Sequence, residues 1–274
     1  MADELQSLDE PYALDPSSIA QYRRDGHVLL RGLASRSEAA CYRPVIGEAV
    51  RRFNHEQRPL GERDTYGKAF LQTGNLWTRD AAVEKFVKSR RFAQVAAELM
   101  GVSGVRVYHD QALYKEAGGG FTPWHQDQYY WPFEGDGCIT LWMPLIDLDA
   151  QTGIMQFATG SHRGGFAGHL PIGDHSEQTL AEHVENRGYP IGGAELMSAG
   201  DATFHSGWTL HRASPNLSSQ MREVMTIIYF TDGMRASHPD NEARWSDLRA
   251  CLPGVEPGEL AVSPMNPLVY TREA

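Results

Sequence analysis

Three residues with metal-binding side chains stand out in the sequence, two of them close together. His125 and Asp127 lie within the aromatic stretch 122–131, and His211 lies far downstream. Side chains at positions i and i+2 of a β-strand project to the same face, so His125 and Asp127 can share one metal ion. Two imidazoles and one carboxylate form the facial triad of non-haem Fe(II) oxygenases, which leaves the opposite coordination positions open.

A second histidine, His205, competes with His211 for the third ligand position. We favour His211 because it leads into Arg222, at the start of the strongest predicted strand, where a guanidinium can hold a carboxylate through two parallel hydrogen bonds. In the alternative interpretation, each histidine is bonded to a backbone carbonyl and Arg222 forms an exposed ion pair. A structural zinc site would be closed by four ligands, usually including thiolates, and nothing in this pattern supplies them.

The composition is that of an ordinary globular protein. The chain has 274 residues, of which 41% are hydrophobic, enough for the buried core of one domain. The formal net charge of -10 argues against nucleic acid or an anionic membrane surface as the main partner. The three widely spaced cysteines, Cys41, Cys138 and Cys251, predict a reducing compartment and therefore a cytoplasmic location.

Neither a targeting segment nor a membrane span is expected. The N-terminus is acidic and has no apolar run of the kind found in signal peptides. No apolar stretch is long enough to cross a bilayer.

The order of predicted elements indicates a mainly β fold. Helices are predicted near residues 17–25, 36–57 and 80–100, with a strand at 27–31 and a loop at 57–64. Strands are predicted at 105–115, 121–130, 138–147, 153–158, 202–205 and 222–231. Many short strands between Gly and Pro turns indicate an antiparallel barrel of the jelly-roll type, a double-stranded β-helix with flanking N-terminal helices.

We expect a single domain over residues 1–274. It divides into a helical part at 1–100, a jelly-roll core at 101–232 and an irregular tail at 233–274. Residues 163–195 are polar and rich in Gly and His and show no period, so we expect a long loop that acts as a mobile lid over the metal.

Taken in order, these motifs resemble the phytanoyl-CoA dioxygenase family of Fe(II)/2-oxoglutarate oxygenases. The resemblance rests on His125-Gln126-Asp127, the turn ending in Ser161-His162, Gly200-Asp201, His211 and Arg222. It implies that His125, Asp127 and His211 bind Fe(II), and that Arg222 holds the distal carboxylate of 2-oxoglutarate. It also implies that O2 is consumed, that succinate and CO2 are released, and that a C–H bond of a small organic substrate is hydroxylated. His162 belongs to a structural turn in this comparison and stays outside the metal site.

The resemblance leaves other co-substrate contacts open. Family members often carry a serine two positions after the distal histidine, where this chain has Ala213 followed by Ser214. Further contacts to 2-oxoglutarate are expected from Gln72, Gln111, Thr140 and Ser214. The carboxylate of Asp127 favours oxygenation, because halogenating relatives lack it. The aromatic residues that follow it, from Tyr129 to Phe133, suit either a pocket wall or the core.

Three alternative functions are compatible with the same residues. The oxidation could end in desaturation, epimerisation or ring closure in place of hydroxylation. The barrel could be a non-catalytic, cupin-like metal binder, although such a protein has no need of Arg222. A zinc or manganese hydrolase could use the same ligands. The sequence leaves open an acyl-CoA, an amino acid or a secondary metabolite as substrate, and it does not predict the oligomeric state. The acidic charge disfavours a CoA thioester.

Overall fold

The computed structural model describes residues 5–272, which form two antiparallel β-sheets and seven α-helices. Residues 1–4 and 273–274, at the two ends of the predicted domain, lie outside the described part, and so does most of the stretch that argued against a signal peptide. The helices are α1 (Pro16–Asp25), α2 (Arg36–Phe53), α3 (Thr65–Ala69), α4 (Ala81–Val87), α5 (Arg90–Met100), α6 (Asp174–Arg187) and α7 (Glu242–Cys251). No helix in this part of the chain is long and apolar enough to cross a membrane.

The strands divide into a larger and a smaller sheet. They are β1 (His27–Leu30), β2 (Leu71–Gly74), β3 (Gly104–Tyr114), β4 (Thr122–His125), β5 (Cys138–Pro144), β6 (Met155–Ala158), β7 (Ile191–Gly193), β8 (Ala202–Ser206), β9 (His211–Ala213), β10 (Val224–Thr231) and β11 (Leu268–Thr271). The larger sheet has the order β1-β8-β5-β10-β3-β11, with β2 also paired to β3. The smaller sheet has the order β4-β9-β6-β7. The predicted jelly roll with N-terminal helices is confirmed.

The two faces of the larger sheet have different tasks. Alternate residues of β5, such as Ile139 and Leu141, pack into the main core with α2, α4 and α5. The residues between them, Thr140 and Trp142, point to the other side and line a cavity. Because side chains alternate along a strand, one sheet supports the helical layer and builds the wall of the cavity at the same time.

The predicted helices of the first hundred residues form because each has a defined beginning. Asp15 caps α1, Ser35 and Glu38 form a capping box on α2, and Ser89 caps α5. α1 ends at Gly26, whose positive φ of 80° suits glycine, and a Cβ there would lie 2.3 Å from Nδ1 of His162. His162 therefore packs against this helix end, away from the predicted ligands.

Two predicted segments in the middle of the chain differ from the structure. The strand predicted over 121–130 ends at His125, and a single 3-10 turn, Asp127–Tyr129, follows it. The loop predicted over 163–195 contains α6 and β7, because Leu180 and Val184 bury one narrow stripe of an otherwise polar helix. Two apolar positions are too few to give a helical period in the sequence.

The other differences lie at the edges of the fold. The tail predicted to be irregular contains α7 and β11, and β11 pairs with β3 at the margin of the larger sheet. The segment after the predicted 57–64 loop contains α3 and β2, and β2 also pairs with β3. These elements are short and are held by tertiary pairing, which local propensity does not predict. That the whole chain forms one domain stays a prediction.

Glu38 provides a test of what holds the helical layer in place. Its carboxylate accepts hydrogen bonds from Nη1 and Nη2 of Arg91 at 2.9 and 3.0 Å, and both side chains are largely buried. We predict that Glu38→Ala lowers the free energy of unfolding by about 3 kcal/mol, because it leaves the Arg91 charge buried without a partner. Glu48→Ala, on the exposed side of the same helix, should cost less than about 1 kcal/mol. Urea unfolding measures both, and equal losses would contradict this account.

Candidate active site

The three predicted metal ligands meet at one point between the sheets. His125 ends β4 and His211 begins β9, and these two residues are directly paired in the smaller sheet. Oδ1 of Asp127 lies 3.6 Å from Nε2 of His125 and 3.6 Å from Nε2 of His211. One donor atom from each residue lies within 4.8 Å of the others, which suits three ligands on one face of a metal ion.

The two histidines are fixed in the tautomer that a metal requires. Nδ1 of His125 lies 2.8 Å from the carbonyl oxygen of Pro123, and Nδ1 of His211 lies 2.9 Å from that of Thr209. Each Nδ1 must therefore carry the proton, which leaves a lone pair on Nε2 for the metal. Burial lowers the pKa of His125 to about 3 and that of His211 to about 4, so both rings are neutral at pH 7.

The two carboxylate oxygens of Asp127 face different groups. Oδ1 faces the imidazoles, while Oδ2 accepts a hydrogen bond from the Thr140 hydroxyl at 2.9 Å and one from Nε2 of His205 at 3.1 Å. Burial opposes ionisation here, but His211 and the hydrogen bond from His205 outweigh it and lower the pKa of Asp127. An ionised carboxylate with one oxygen already bonded presents the other to a metal in a fixed direction.

His205, the alternative ligand, therefore orients Asp127 from behind. Its strand β8 belongs to the larger sheet, whereas His125 and His211 belong to the smaller one. Its Nε2 is already engaged by Asp127, and its buried Nδ1 has no partner. Both histidines line the cavity. Their positions in the sequence alone therefore do not show which of the two is the metal ligand.

Arg222 lies in the same cavity. Its guanidinium is a buried cation that has no anionic partner in the described residues. It is only 1% exposed, and it donates to the carbonyl oxygens of Gly153 at 2.7 Å and Leu113 at 3.3 Å. Its Nε has no hydrogen-bond partner, and it forms no ion pair within residues 5–272. Burial lowers the pKa of Arg222 to about 9, so it stays charged at pH 7. A buried, uncompensated guanidinium is costly unless an anionic ligand binds to it.

A cavity of about 260 Å³ connects these groups. Three of the predicted co-substrate contacts, Gln72, Gln111 and Thr140, line it together with Arg222. The hydroxyl of Thr140 is bonded to Asp127, so its role in the structure is to position a ligand of the metal. Oε1 of Gln72 accepts a hydrogen bond from the Tyr66 hydroxyl at 2.5 Å.

Ser214 is the predicted contact that the structure does not bring to the cavity. Ala213 lines the wall, and the next residue along the chain turns away from it. The backbone N–H of Ser214 lies 3.4 Å from the carbonyl oxygen of Ile154. Ser214 is therefore not among the residues that line the cavity, and its contact with 2-oxoglutarate stays a prediction.

The segment predicted to be a lid covers the metal-binding loop. The side-chain amide of Gln126 donates to the carbonyl oxygen of Gly165 at 2.8 Å and accepts from the N–H of Ala167 at 2.9 Å. The N–H of Ile172, a cavity residue, donates to the Tyr130 hydroxyl at 2.9 Å. These bonds place residues 165–172 over the cavity, while the mobility of this segment stays a prediction.

Several residues that line the cavity were not predicted from the sequence, among them four with polar or aromatic side chains at its wall. Tyr66 and Phe70 come from the N-terminal part, His109 comes from β3, and Asp247 comes from the tail. Tyr66 and Phe70 lie on or next to the short α3, and Asp247 lies on α7, neither of which was predicted. Of the aromatic residues after Asp127, Tyr130 and Trp131 line the cavity, and Trp131 also belongs to the apolar cluster that contains Phe133.

The fold and the site together define a class of protein. A jelly roll that holds two histidines and an aspartate on one face of a metal position, beside a buried arginine, is the arrangement of non-haem iron oxygenases that use 2-oxoglutarate. The donor set fits iron, since it offers imidazole and carboxylate ligands and leaves the opposite positions open to the cavity.

Comparison with known proteins identifies the family. The family model for phytanoyl-CoA dioxygenase matches residues 22–224, so the chain belongs to that family. A probable alpha-ketoglutarate-dependent hypophosphite dioxygenase of Stutzerimonas stutzeri is 26% identical over 152 residues, covering 54% of this chain and 52% of that protein. The match therefore spans about half the length of that relative. The predicted family is confirmed.

Two solved structures share the fold over nearly the whole chain. The non-haem alpha-ketoglutarate-dependent carbocyclase SnoK from nogalamycin biosynthesis has a TM-score of 0.76 at 20% identity, covering 96% of this chain and 98% of that one. The epimerase SnoN, in complex with Fe3+, alpha-ketoglutarate and nogalamycin RO, has a TM-score of 0.73 at 24% identity, covering 93% and 100%. These proteins carry out different reactions, so the shared fold does not identify the substrate.

The bond between Thr140 and Asp127 generates a test of the metal site. We predict that Thr140→Val weakens Co(II) binding roughly tenfold, because losing a hydrogen-bond partner of a ligand commonly costs 10- to 100-fold in metal affinity. Thr140→Ser keeps the hydroxyl and should bind Co(II) as the unchanged protein does. Titration of each variant with Co(II), followed by visible absorbance, gives the three dissociation constants. Equal affinity in the valine and serine variants would show that the hydroxyl does not support the carboxylate.

Proposed function

We propose that this chain is an Fe(II)/2-oxoglutarate-dependent dioxygenase that hydroxylates a C–H bond of a small organic substrate and releases succinate and CO2. The observation that carries the proposal is Arg222, a buried cation without an anion in the cavity that the three ligands enter. A site built only to bind a metal has no use for this group. A dicarboxylate that reaches from the metal to Arg222 neutralises it.

The chain's own residues hold the metal from one side only. His125, Asp127 and His211 supply three ligands, and the hydrogen bonds to Pro123 and Thr209 fix the two rings before any metal enters. Bound Fe(II) supplies the activation of O2, coupled to decarboxylation of 2-oxoglutarate, which an unaided protein side chain cannot perform. The three ligands would leave the cavity side of the metal open, where co-substrate and O2 would have room to bind.

Arg222 positions the co-substrate and helps to order the site. Its fork matches the distal carboxylate of 2-oxoglutarate, and the backbone carbonyls of Gly153 and Leu113 hold the fork in place. Gln111 and Gln72 line the same cavity and offer amides to the co-substrate or the substrate. Hydrogen bonds to Gln126 hold the segment 165–172 beside the metal-binding loop, where it would exclude water and so suppress competing reactions.

Hydroxylation is the main candidate outcome, and three related oxidations are alternatives to it. Structural relatives named as an epimerase and a carbocyclase use the same fold, so epimerisation or ring closure is the second candidate for this chain. Desaturation belongs to the same group, and product analysis distinguishes these reactions. The unpaired Arg222 argues against a cupin-like metal binder and against a zinc or manganese hydrolase.

We further propose a small-molecule substrate and a cytoplasmic location. The cavity volume of about 260 Å³ suits a small organic molecule, with no need for a nucleic-acid partner. Within residues 5–272 none of Cys41, Cys138 and Cys251 forms a disulfide, which agrees with a reducing compartment.

The first experiment is an anaerobic reconstitution followed by a turnover assay. We expect succinate to form on addition of O2 only when Fe(II) and 2-oxoglutarate are both present. His125→Ala, Asp127→Ala and His211→Ala should each abolish it, because two ligands are too few to hold the metal. Uncoupled turnover makes the assay possible before the substrate is known. Succinate formation that persists without Fe(II), or in all three variants, would sink the proposal.

Arg222→Lys tests the second half of the site. We predict that this substitution raises the KM for 2-oxoglutarate by roughly tenfold to a hundredfold, since hydrogen bonds to a charged group are worth about 1.5–3 kcal/mol. An ammonium is a point charge and cannot form the two parallel bonds of a guanidinium. Arg212→Lys, at an arginine that also lines the cavity but is partly exposed and lies near Glu177, is the matched control. An unchanged KM in Arg222→Lys would remove the arginine from the co-substrate site.

A further inference from the structure

A second group of polar side chains lines the same cavity and has no part in holding metal or 2-oxoglutarate. Asp247 projects from α7, and His109 projects from β3. With Cys251 they bring one nitrogen, oxygen or sulfur atom each to within 4.8 Å of the others. Oδ2 of Asp247 accepts a hydrogen bond from the Tyr108 hydroxyl at 3.0 Å.

A β-bulge makes this group possible. Ile228 of β10 pairs with His109, but the next residue, Tyr229, pairs with Val107, so Tyr108 is the extra residue. Tyr108 and His109 are thereby turned to the same side of the strand, with ring centroids 4.7 Å apart. In a regular strand they would point to opposite faces. Bulges of this kind often re-aim a side chain next to an active site.

The distance between this group and the metal position leaves room for a small substrate between them. Thr140, which supports Asp127, pairs with Ile228, and Ile228 pairs with His109 on its other side. Two strand spacings therefore separate Thr140 and His109, about 10 Å between backbones. Arg244 fixes α7 to the metal-binding loop by donating to the carbonyl oxygens of Tyr129 and Gln128, both at 3.1 Å.

The carboxylate of Asp247 has no cationic partner among residues 5–272. The Tyr108 hydroxyl is its one hydrogen-bond partner in the described part of the chain, and it forms no ion pair there. Burial raises the pKa of Asp247 to about 6, so the carboxylate is mostly ionised at pH 7. Burial lowers the pKa of His109 to about 4, so this neighbour supplies no positive charge.

The charge balance of the loaded site leaves Asp247 uncompensated. The two positive charges of Fe(II) match the two negative charges of 2-oxoglutarate, and Arg222 matches Asp127. Arg212, near the cavity, lies 3.6 Å from Glu177. One negative charge remains, on Asp247.

The surroundings of Asp247 favour an organic cation over a metal ion. Tyr66, Tyr130 and Trp131 line the same cavity. Burial raises the pKa of both tyrosines, and the charge of Asp247 adds a smaller contribution. Aromatic rings near a carboxylate attract ammonium groups. A metal ion would need the thiolate of Cys251, but this thiol lies in an apolar cluster, and burial raises its pKa to about 12.

We propose that Asp247, oriented by Tyr108 and flanked by His109, binds a protonated amine of the substrate, so that this oxygenase acts on an amine-bearing small molecule. The inference rests on the proposed function, because it assumes that the cavity is the substrate site of the loaded enzyme. The amine nitrogen anchors the substrate at Asp247, and a C–H bond elsewhere in the molecule then lies against the metal position.

The test compares three probes with one carbon skeleton. Benzylamine, benzyl alcohol and benzoate are titrated into the anaerobic protein loaded with Fe(II) and 2-oxoglutarate, and dissociation constants are read from ligand-observed NMR. We expect benzylamine to bind about tenfold or more tightly than benzyl alcohol, and benzoate to bind most weakly. Benzylamine that binds no better than the alcohol would overturn the proposal.

Two charge-matched variants separate the site from the acidic surface. Asp247→Asn is isosteric and should remove the preference for the amine. Glu242→Gln, on the exposed side of the same helix, changes the net charge by the same amount and should keep it. Loss of the preference in both variants, or in neither, would contradict a specific role for Asp247.

Calorimetric titration with 2-oxoglutarate keeps this proposal apart from the one on which it rests. Suppose that Asp247→Asn and the unchanged protein bind 2-oxoglutarate equally, and that the unchanged protein does not prefer benzylamine. Then only the inference on the amine fails, and the proposed function stands. If the unchanged protein does not bind 2-oxoglutarate in the presence of Fe(II), the proposed function fails first. A second equivalent of Co(II) with a sulfur-to-metal absorbance, lost in Cys251→Ser, would establish a metal at the group and overturn the amine site.

Discussion

The bond that joins Oδ2 of Asp127 to the larger sheet is the constraint on which the site depends. The two imidazoles stand on paired strands of the smaller sheet, and their own backbone carbonyls fix them. The carboxylate comes from a turn that belongs to neither sheet, so its direction must be set by side chains. Thr140 and His205, on neighbouring strands of the larger sheet, set it. The metal position therefore forms only when the two sheets pack against each other so that Thr140 and His205 reach Asp127.

The same cavity stores unfavourable electrostatics that ligands relieve. Arg222 is buried with its Nε unbonded, and Asp247 is a carboxylate without a cation. Burial, together with the charge of Arg222, lowers the pKa of the nearby Lys115 to about 6, so Arg222 is the charged base of that pair at pH 7. Such groups lower the stability of the empty protein, and binding of an opposite charge then stabilises the folded state. Sites of this kind give up stability for function.

The sequence carried enough information to predict the fold class and to propose a ligand set. His125 and Asp127 are two positions apart, and this spacing predicted a shared metal ion. The expected reason was that both side chains project from one face of a strand, and the structure differs on this point. Asp127 lies on a 3-10 turn beyond the strand, and it reaches the metal position through that turn. The choice of His211 over His205 agrees with the geometry, which shows the two histidines on different sheets.

The remaining parts of the site depend on contacts that leave no local pattern. α6 has only a narrow apolar stripe, and α7 is a short polar helix, so both were predicted to be irregular. Asp247 gains its role from Tyr108, which is far away in the sequence and is aimed by a bulge. Ser214 was predicted from its neighbourhood to His211, but strand geometry turns it away from the cavity. Pairing across sheets decides each of these cases.

The most direct test of the central claim is a crystal structure of the protein with Fe(II) and 2-oxoglutarate, prepared without O2. The account predicts one iron anomalous peak bound by Nε2 of His125, Oδ1 of Asp127 and Nε2 of His211. It also predicts the distal carboxylate of 2-oxoglutarate on the guanidinium of Arg222. An iron peak at His109, Asp247 and Cys251, or a co-substrate that leaves Arg222 without an anion, would contradict it.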